Sequence, residues 1–404
     1  MKHQPTALVV ATMDTKGQEA LFLAECLKEQ NIAVKLLDAG IKGKSPAPVD
    51  IARAEVARTA GKELAEVQNM GHEGEALKVM AEGAIQWAQR LHRQNKIHGI
   101  IGLGGSMGTT LGSGVMRALP IGFPKLMVST MASRDTRPFV GSHDILMLHS
   151  VCDIAGINRI TRLILRNGAL AMAGMLKGAT DRQPDVKPLV VLSNLGTTEV
   201  CSSSVRKCLE EKGNEVVVFH AVGSGGAAME EIIRQENVDA VVDLSLNEIG
   251  DHRFGGEYDA GPGRGTAALQ KGIPTIMVPG NMDFFGGGPF HLAEKRFPNR
   301  KYHKHNAAIT AVRTEPQELI EMAAILADLC NAASGPLVVL IPLGGFSAFD
   351  RPGGTFHAPQ SPVIFAKAFE NKLRPGIPLH TYPFHINDPE FAQAIIEAFE
   401  SLVK

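Results

Sequence analysis

Short apolar runs alternate with longer stretches of helical periodicity along most of the chain. The first run, Thr6-Ala7-Leu8-Val9-Val10-Ala11-Thr12, is continuous, as expected of a central parallel strand buried on both faces. Asp14-Thr15-Lys16-Gly17 reads as a turn. Ala20, Leu21, Leu23, Ala24 and Leu27 then form one apolar stripe of a helix over residues 18–30. Val34 to Leu37 reads as a second strand. Helices near residues 49–60 and 73–94 lead to a third strand, Gly99-Ile100-Ile101-Gly102-Leu103. Gly104-Gly105-Ser106-Met107-Gly108-Thr109-Thr110 comes directly after it and opens a further helix. Lys125 to Ser129 is another strand, and residues 158–176 read as a buried helix rich in small residues.

The polar stretch Gly178 to Pro188 holds two prolines and reads as a linker. Beyond it the pattern restarts. Leu189-Val190-Val191-Leu192-Ser193 echoes Leu8 to Thr12, and Gly196-Thr197-Thr198-Glu199 takes the place of the Asp14–Gly17 turn. Val216 to Phe219, Val238 to Leu244 and Thr275 to Val278 echo the later strands. Two α/β domains of similar plan, residues 1–180 and 188–404, are therefore expected, each a mainly parallel sheet flanked by helices. Near the C-terminus, Thr314 and Gln317 fit a capping box for a helix from Pro316. Leu337 to Ile341 is a strand, and Asp388-Pro389 opens the last helix.

Composition sharpens this picture in three respects. Hydrophobic residues are 44% of 404 and aromatics only 5%, which suits large aliphatic cores on parallel sheets. The formal net charge is −1, and no basic run forms a nucleic-acid footprint. The five cysteines show no CxxC and no zinc spacing, and no apolar run reaches the roughly 18 residues of a membrane span. A cytoplasmic protein with no nucleic-acid or membrane partner is expected.

The 42 glycines cluster at strand ends, where backbone N–H groups can approach an anion. Gly104, Gly105, Ser106, Gly108, Thr109 and Thr110 form the strongest such cluster, because a helix N-terminus adds positive potential. It is neither a Walker A loop nor a full GxGxxG fingerprint. It also fits G-x-S-x-G, which would make Ser106 the nucleophile of a serine hydrolase with His143 and Asp144 as nominal partners. Thr12, Asp14, Thr15 and Lys16 form the neighbouring strand-end turn, where Lys16 would pair a phosphate. Asp38 sits where a carboxylate often meets a ribose hydroxyl. In the second half, Gly223-Ser224-Gly225-Gly226 and Arg264 are further anion candidates. Glu248, Asp251, Asp283 and His291 are the acid–base candidates, and His252 joins the first two in a candidate acid–base or metal cluster, with plain surface-loop polarity as the alternative. His303 and His305 alternate like ligands on a strand face, but with no third ligand they read as a solvated loop.

Several of these segments carry a family resemblance. LVVATMDTKG (Leu8 to Gly17), GLGGSMGTT (Gly102 to Thr110), MVSTMAS (Met127 to Ser133), DIAGIN (Asp153 to Asn158) and PLGGFSAFDRPGG (Pro342 to Gly354) resemble blocks of a widespread family of uncharacterised bacterial and fungal proteins. That family includes the N-terminal inhibitory domain of the tomato mosaic virus resistance protein. The resemblance runs over essentially the whole chain. It implies two Rossmann-like halves, self-association into homodimers or larger assemblies, and ATP, with or without magnesium, as the small-molecule phosphate ligand. The expectation is an ATP-binding protein of metabolic role, with any reacting substrate between the halves. A non-catalytic nucleotide sensor and the Ser106 hydrolase are the alternatives.

Overall fold

The computed structural model describes residues 4–178 and 187–403, so the expected linker lies almost wholly outside the described residues. The chain divides into two compact units, Met1–Gln183 and Pro184–Lys404.

The first unit is built on β1 (Thr6–Ala11), β2 (Ala33–Asp38), β3 (Gly99–Gly104), β4 (Lys125–Ser129) and β5 (Leu146–His149). They form one parallel sheet in the order β2-β1-β3-β4-β5. Side chains alternate across a strand, and β1 divides accordingly. Leu8 and Val10 enter one core, whereas Ala7, Val9 and Ala11 enter the other. Helices therefore cover both faces, as the continuous apolar run requires.

The second unit repeats the plan. Its strands β6 (Leu189–Asn194), β7 (Glu215–His220), β8 (Ala240–Ser245) and β9 (Thr275–Gly280) join two later ones in the main sheet. Between them come β10 (Phe284–Gly286), β11 (Tyr302–Lys304) and β12 (Thr310–Arg313). The later main-sheet strands are β13 (Leu337–Pro342) and β14 (Leu379–Tyr382). The main sheet is parallel in the order β7-β6-β8-β9-β13-β14, the arrangement of the first unit with one strand added. In both sheets the order reverses between the first and third strands in sequence, which opens a crevice at their carboxyl ends.

Four local expectations change. The small antiparallel sheet β10-β12-β11 was not expected, because its strands are too short to show an alternating pattern. The first helix spans Met13–Glu29 and absorbs the expected turn, with Lys16 alone off helical geometry (φ −126°, ψ 20°). Its early start has a tertiary cause: Asp38 Oδ1 accepts the N–H of Met13 at 3.1 Å. The expected capping box moves one residue on. Glu315 is the N-cap and its N–H donates to Glu318, while the Thr314 hydroxyl donates to the Met282 carbonyl. Finally, the helix Arg159–Gly178 is not buried all round, since Leu163 is 59% and Leu170 45% exposed. Among the described residues no helix is long and apolar enough to cross a membrane.

Candidate functional site

The chain leaving β1 and the chain leaving β3 wall the crevice of the first unit. After β3 the helix Ser106–Arg117 begins at once, with Gly105 at the N-cap. Such a helix start leaves its first backbone N–H groups without intrahelical acceptors, and they point along the axis with the positive end of the dipole. The glycines divide the work. A Cβ on Gly104 would come within 2.8 Å of Gly108 Cα, and one on Gly108 within 3.2 Å of the Leu103 carbonyl. These two let the strand and helix pack closely. Gly105 is different: a Cβ there would meet nothing nearer than Thr130 Oγ1 at 3.8 Å, so the residue is open on that side.

Hydroxyls line the same edge. Thr15, Ser106 and Thr110 are exposed and Thr12 is half-buried. Thr12 and Thr15 share a hydrogen bond at 2.8 Å, and Thr110 donates to the Ser106 carbonyl at 2.9 Å. Thr109 points inward, its hydroxyl 2.6 Å from that of Ser129. Lys16 donates its ammonium to the Ile154 carbonyl. The two acidic positions are already engaged. Asp38 accepts from Met13 and Gly40 and takes Arg53 Nε at 2.7 Å. Asp14 accepts the N–H groups of Ile41 and Lys42, and Arg53 lies 3.7 Å away. They pin the loop after β2 against the crevice, and a ribose would have to displace one of these bonds to reach Asp38. A recess of about 240 Å³ lies beside Thr15, between the first helix, Lys44, Pro46 and Gly156. Sequence reasoning did not place the Lys44 or Gly156 segments there, because neither is near Thr15 along the chain.

The hydrolase partners lie elsewhere. Asp144 precedes β5 and pairs with Lys125 at the start of β4, at 2.6 Å. All five strands are parallel, so His143 and Asp144 sit at the amino end of the sheet, with Ser106 at the carboxyl end. A five-residue strand spans about 16 Å. Ser106 is therefore expected to stay unlabelled by a fluorophosphonate, and intact mass after incubation checks this.

In the second unit the expected anion positions are filled by the protein itself. Gly223 and Gly226 both donate their N–H groups to Glu248 Oε1, at 2.7 and 3.0 Å. Arg264, 2% exposed, holds Glu248 Oε2 at 2.6 Å and grips both oxygens of Asp243 at 2.6 Å. Gly265 and Ala267 donate to Glu230. The glycine loop and Arg264 thus serve internal carboxylates, which corrects the expectation of an outside anion there. Burial pushes the Glu248 carboxyl above its usual range, against the pull of Arg264.

Asp251 and Asp283 are fully buried. Asp251 Oδ1 accepts from Tyr258 and Gly286, both at 2.9 Å, while its Oδ2 has no partner. Burial pushes this carboxyl up to about 8. Asp283 Oδ2 accepts the Ser347 hydroxyl at 2.6 Å, and its Oδ1 has no partner. Burial, and then the charge of Asp350, push it up to about 7. His291 is exposed on the short helix Phe290–Arg296. His252 pairs with Asp259 at 2.9 Å on the surface. The four acid–base candidates do not form one group: Glu248 and Asp251 neighbour each other on one helix, Asp283 belongs to the group around Ser347 and Asp350, and His291 is on a helix of its own. His303 packs against Phe349 with centroids 4.2 Å apart and the rings tilted by 34°, and its ring nitrogen meets Thr355 at 3.2 Å. Among the described residues no group of three or more His, Cys, Asp or Glu side chains is arranged to hold a metal ion.

Comparison with known proteins gives one consistent picture. Residues 5–181 match the model described as "Uncharacterised protein family (UPF0261) N-terminal domain", and residues 187–403 match the corresponding C-terminal domain. A UPF0261 protein of Clostridium tetani (strain Massachusetts / E88) is 36% identical over 398 residues, covering 98% of each chain. UPF0261 protein mlr3387 of Mesorhizobium japonicum is 35% identical over 391 residues, covering 96% of each. The ToMV resistance protein Tm-1(GCR237) of Solanum lycopersicum is 31% identical over 423 residues, covering 98% of this chain but 56% of the tomato protein.

Proposed function

The chain belongs to the UPF0261 family, and from that premise we propose that it binds ATP, with its phosphates on the crevice between β1 and β3. The observation that carries this reading is the open side of Gly105. A helix N-terminus, a glycine with no Cβ and the exposed hydroxyls of Thr15, Ser106 and Thr110 meet at one topological switch point. Lys16 supplies the charge from the first turn of the facing helix. Thr12, Gly104, Gly108 and Thr109 shape the crevice rather than touch the ligand, and Asp14 and Asp38 brace its outer wall.

The same arrangement favours a binding module over an enzyme. Glu248, Asp251 and Asp283 are buried in the second unit and engaged in internal contacts, which supports reading them as structural rather than catalytic. ATP bound without hydrolysis, with the protein acting as a nucleotide-dependent sensor or interaction module, is the reading we adopt. Self-association belongs to it. Leu163 and Leu170 on the helix Arg159–Gly178 present the apolar face for a second copy, as their exposure supports.

Gly105→Val tests the site. The Cβ has room, so the variant is expected to fold, but the branched side chain fills the cradle. ATP affinity in calorimetry is expected to fall about tenfold or more, about 1.4 kcal/mol. Wild-type affinity in a folded Gly105→Val variant would sink the assignment.

A further inference from the structure

The segment Ser150–Asn158 leaves the edge strand β5 and leads to the helix Arg159–Gly178. On the way it is hydrogen-bonded to the first helix at two points, and the Ile154 side chain is buried in the core which that helix covers. Lys16 donates its ammonium to the Ile154 carbonyl, and Glu19, 3% exposed, accepts the Gly156 N–H at 2.6 Å. Its entrance is strained. Val151 adopts φ +65°, and the N–H of Cys152 closes a three-residue turn on the Ser150 carbonyl at 2.7 Å. A β-branched residue rarely takes this conformation, and the Val151 side chain is 66% exposed, so no burial of that side chain offsets the strain.

Lys16 stands at the junction of this strap and the crevice. Its ammonium is drawn to the carbonyl of Ile154, a residue only 1% exposed. The hydroxyls of Thr15 and Ser106, by contrast, face solvent. A phosphate held on those hydroxyls would need the ammonium turned outward. The Ile154 carbonyl is neutral, whereas a phosphate adds an opposite charge to the ammonium's hydrogen bond. A phosphate therefore competes with that carbonyl for the ammonium.

We infer that Lys16 is a latch: a phosphate-bearing ligand in the β1–β3 crevice draws its ammonium off the Ile154 carbonyl and releases the Ser150–Asn158 strap. Release relaxes Val151 and reports occupancy to the edge strand and helix that the strap joins. This inference rests on the nucleotide reading above and adds a regulated element to it.

Amide hydrogen exchange on the full chain, with peptides covering residues 150–158, tests the latch. In the ligand-free protein the Gly156 amide is expected to be protected by Glu19. Lys16→Met is expected to lose that protection without any ligand, while the amides of β3 stay protected and show that the unit is folded. Wild-type protein with magnesium ATP is expected to lose it in the same peptides. If calorimetry shows that ATP binds and the strap stays protected, the latch is overturned and the nucleotide reading stands. If ATP does not bind, both fall. If the strap is equally protected in folded Lys16→Met, Lys16 does not hold it and the latch is overturned by that arm alone.

Discussion

Replacing Arg264 by alanine is expected to cost the second unit about 3–5 kcal/mol, the usual cost of removing one partner from a buried charge cluster. The guanidinium is 2% exposed and serves Asp243 through two parallel bonds at 2.6 Å and Glu248 through a third. Glu230 lies 3.5 Å away. Its removal leaves three carboxylates, all at most 4% exposed, without their cation. The Gly223–Gly226 loop is anchored through Glu248, so it should loosen at the same time. Denaturant unfolding measures the loss. Arg264→Lys separates charge from geometry: it keeps the cation but not the planar fork, and it should recover only part of the stability. Full recovery by lysine would show that the bidentate geometry contributes little.

Asp251→Asn should act in the opposite direction and only above acid pH. Burial holds the folded-state carboxyl at about 8, against 3.8 as its ordinary value. A carboxyl raised in this way contributes stability that is complete below the ordinary value and is lost as pH climbs to the folded one. Between about pH 4 and pH 8 the unfolded chain releases a proton that the folded protein keeps. The wild type therefore loses about 1.4 kcal/mol per pH unit from this residue, on the order of 5 kcal/mol in all. The amide cannot ionise and still accepts from Tyr258 and Gly286 through its carbonyl. Its NH₂ stands where the protonated wild-type carboxyl already holds one O–H without an acceptor, and adds a second unpartnered donor, which costs about 1–3 kcal/mol relative to that protonated form. Asp251→Asn is thus expected to be less stable than wild type near pH 4 and more stable by pH 8. Unfolding free energies from pH 4 to 9 check the crossing. Parallel curves would mean that Asp251 ionises in the folded protein as it does in the unfolded chain. Asp283, pushed up to about 7, adds a slope of the same sign.

The architecture was legible along the chain because it rests on local periodicity. Continuous apolar runs such as Leu8–Ala11 and Val190–Leu192 must be buried on both faces, and that alone calls for parallel sheets with helices on either side. The glycine turn after β3 was legible for the same reason: strand, glycines and helix start are adjacent in sequence. The short strands β10 to β12 were not, since three or four residues carry too little pattern to read.

What the amino-acid sequence determined by itself was therefore the two α/β units, the position of the strand-end glycine turns and the small-residue helix before the linker. The tertiary structure alone decided the fate of the polar residues. Gly223–Gly226 and Arg264 have the composition of an anion site, and only the fold shows that the anions are Glu248 and Asp243. Asp38 has the position of a ribose ligand, and only the fold turns it onto Met13 and Arg53. Lys16 meets Ile154 across 138 positions. The physical reason is one of range. Helices, strands and turns are chosen by interactions a few residues apart, which composition and spacing record. A charged group's partner is chosen by which distant segment the chain brings within hydrogen-bond reach, and no local pattern encodes that.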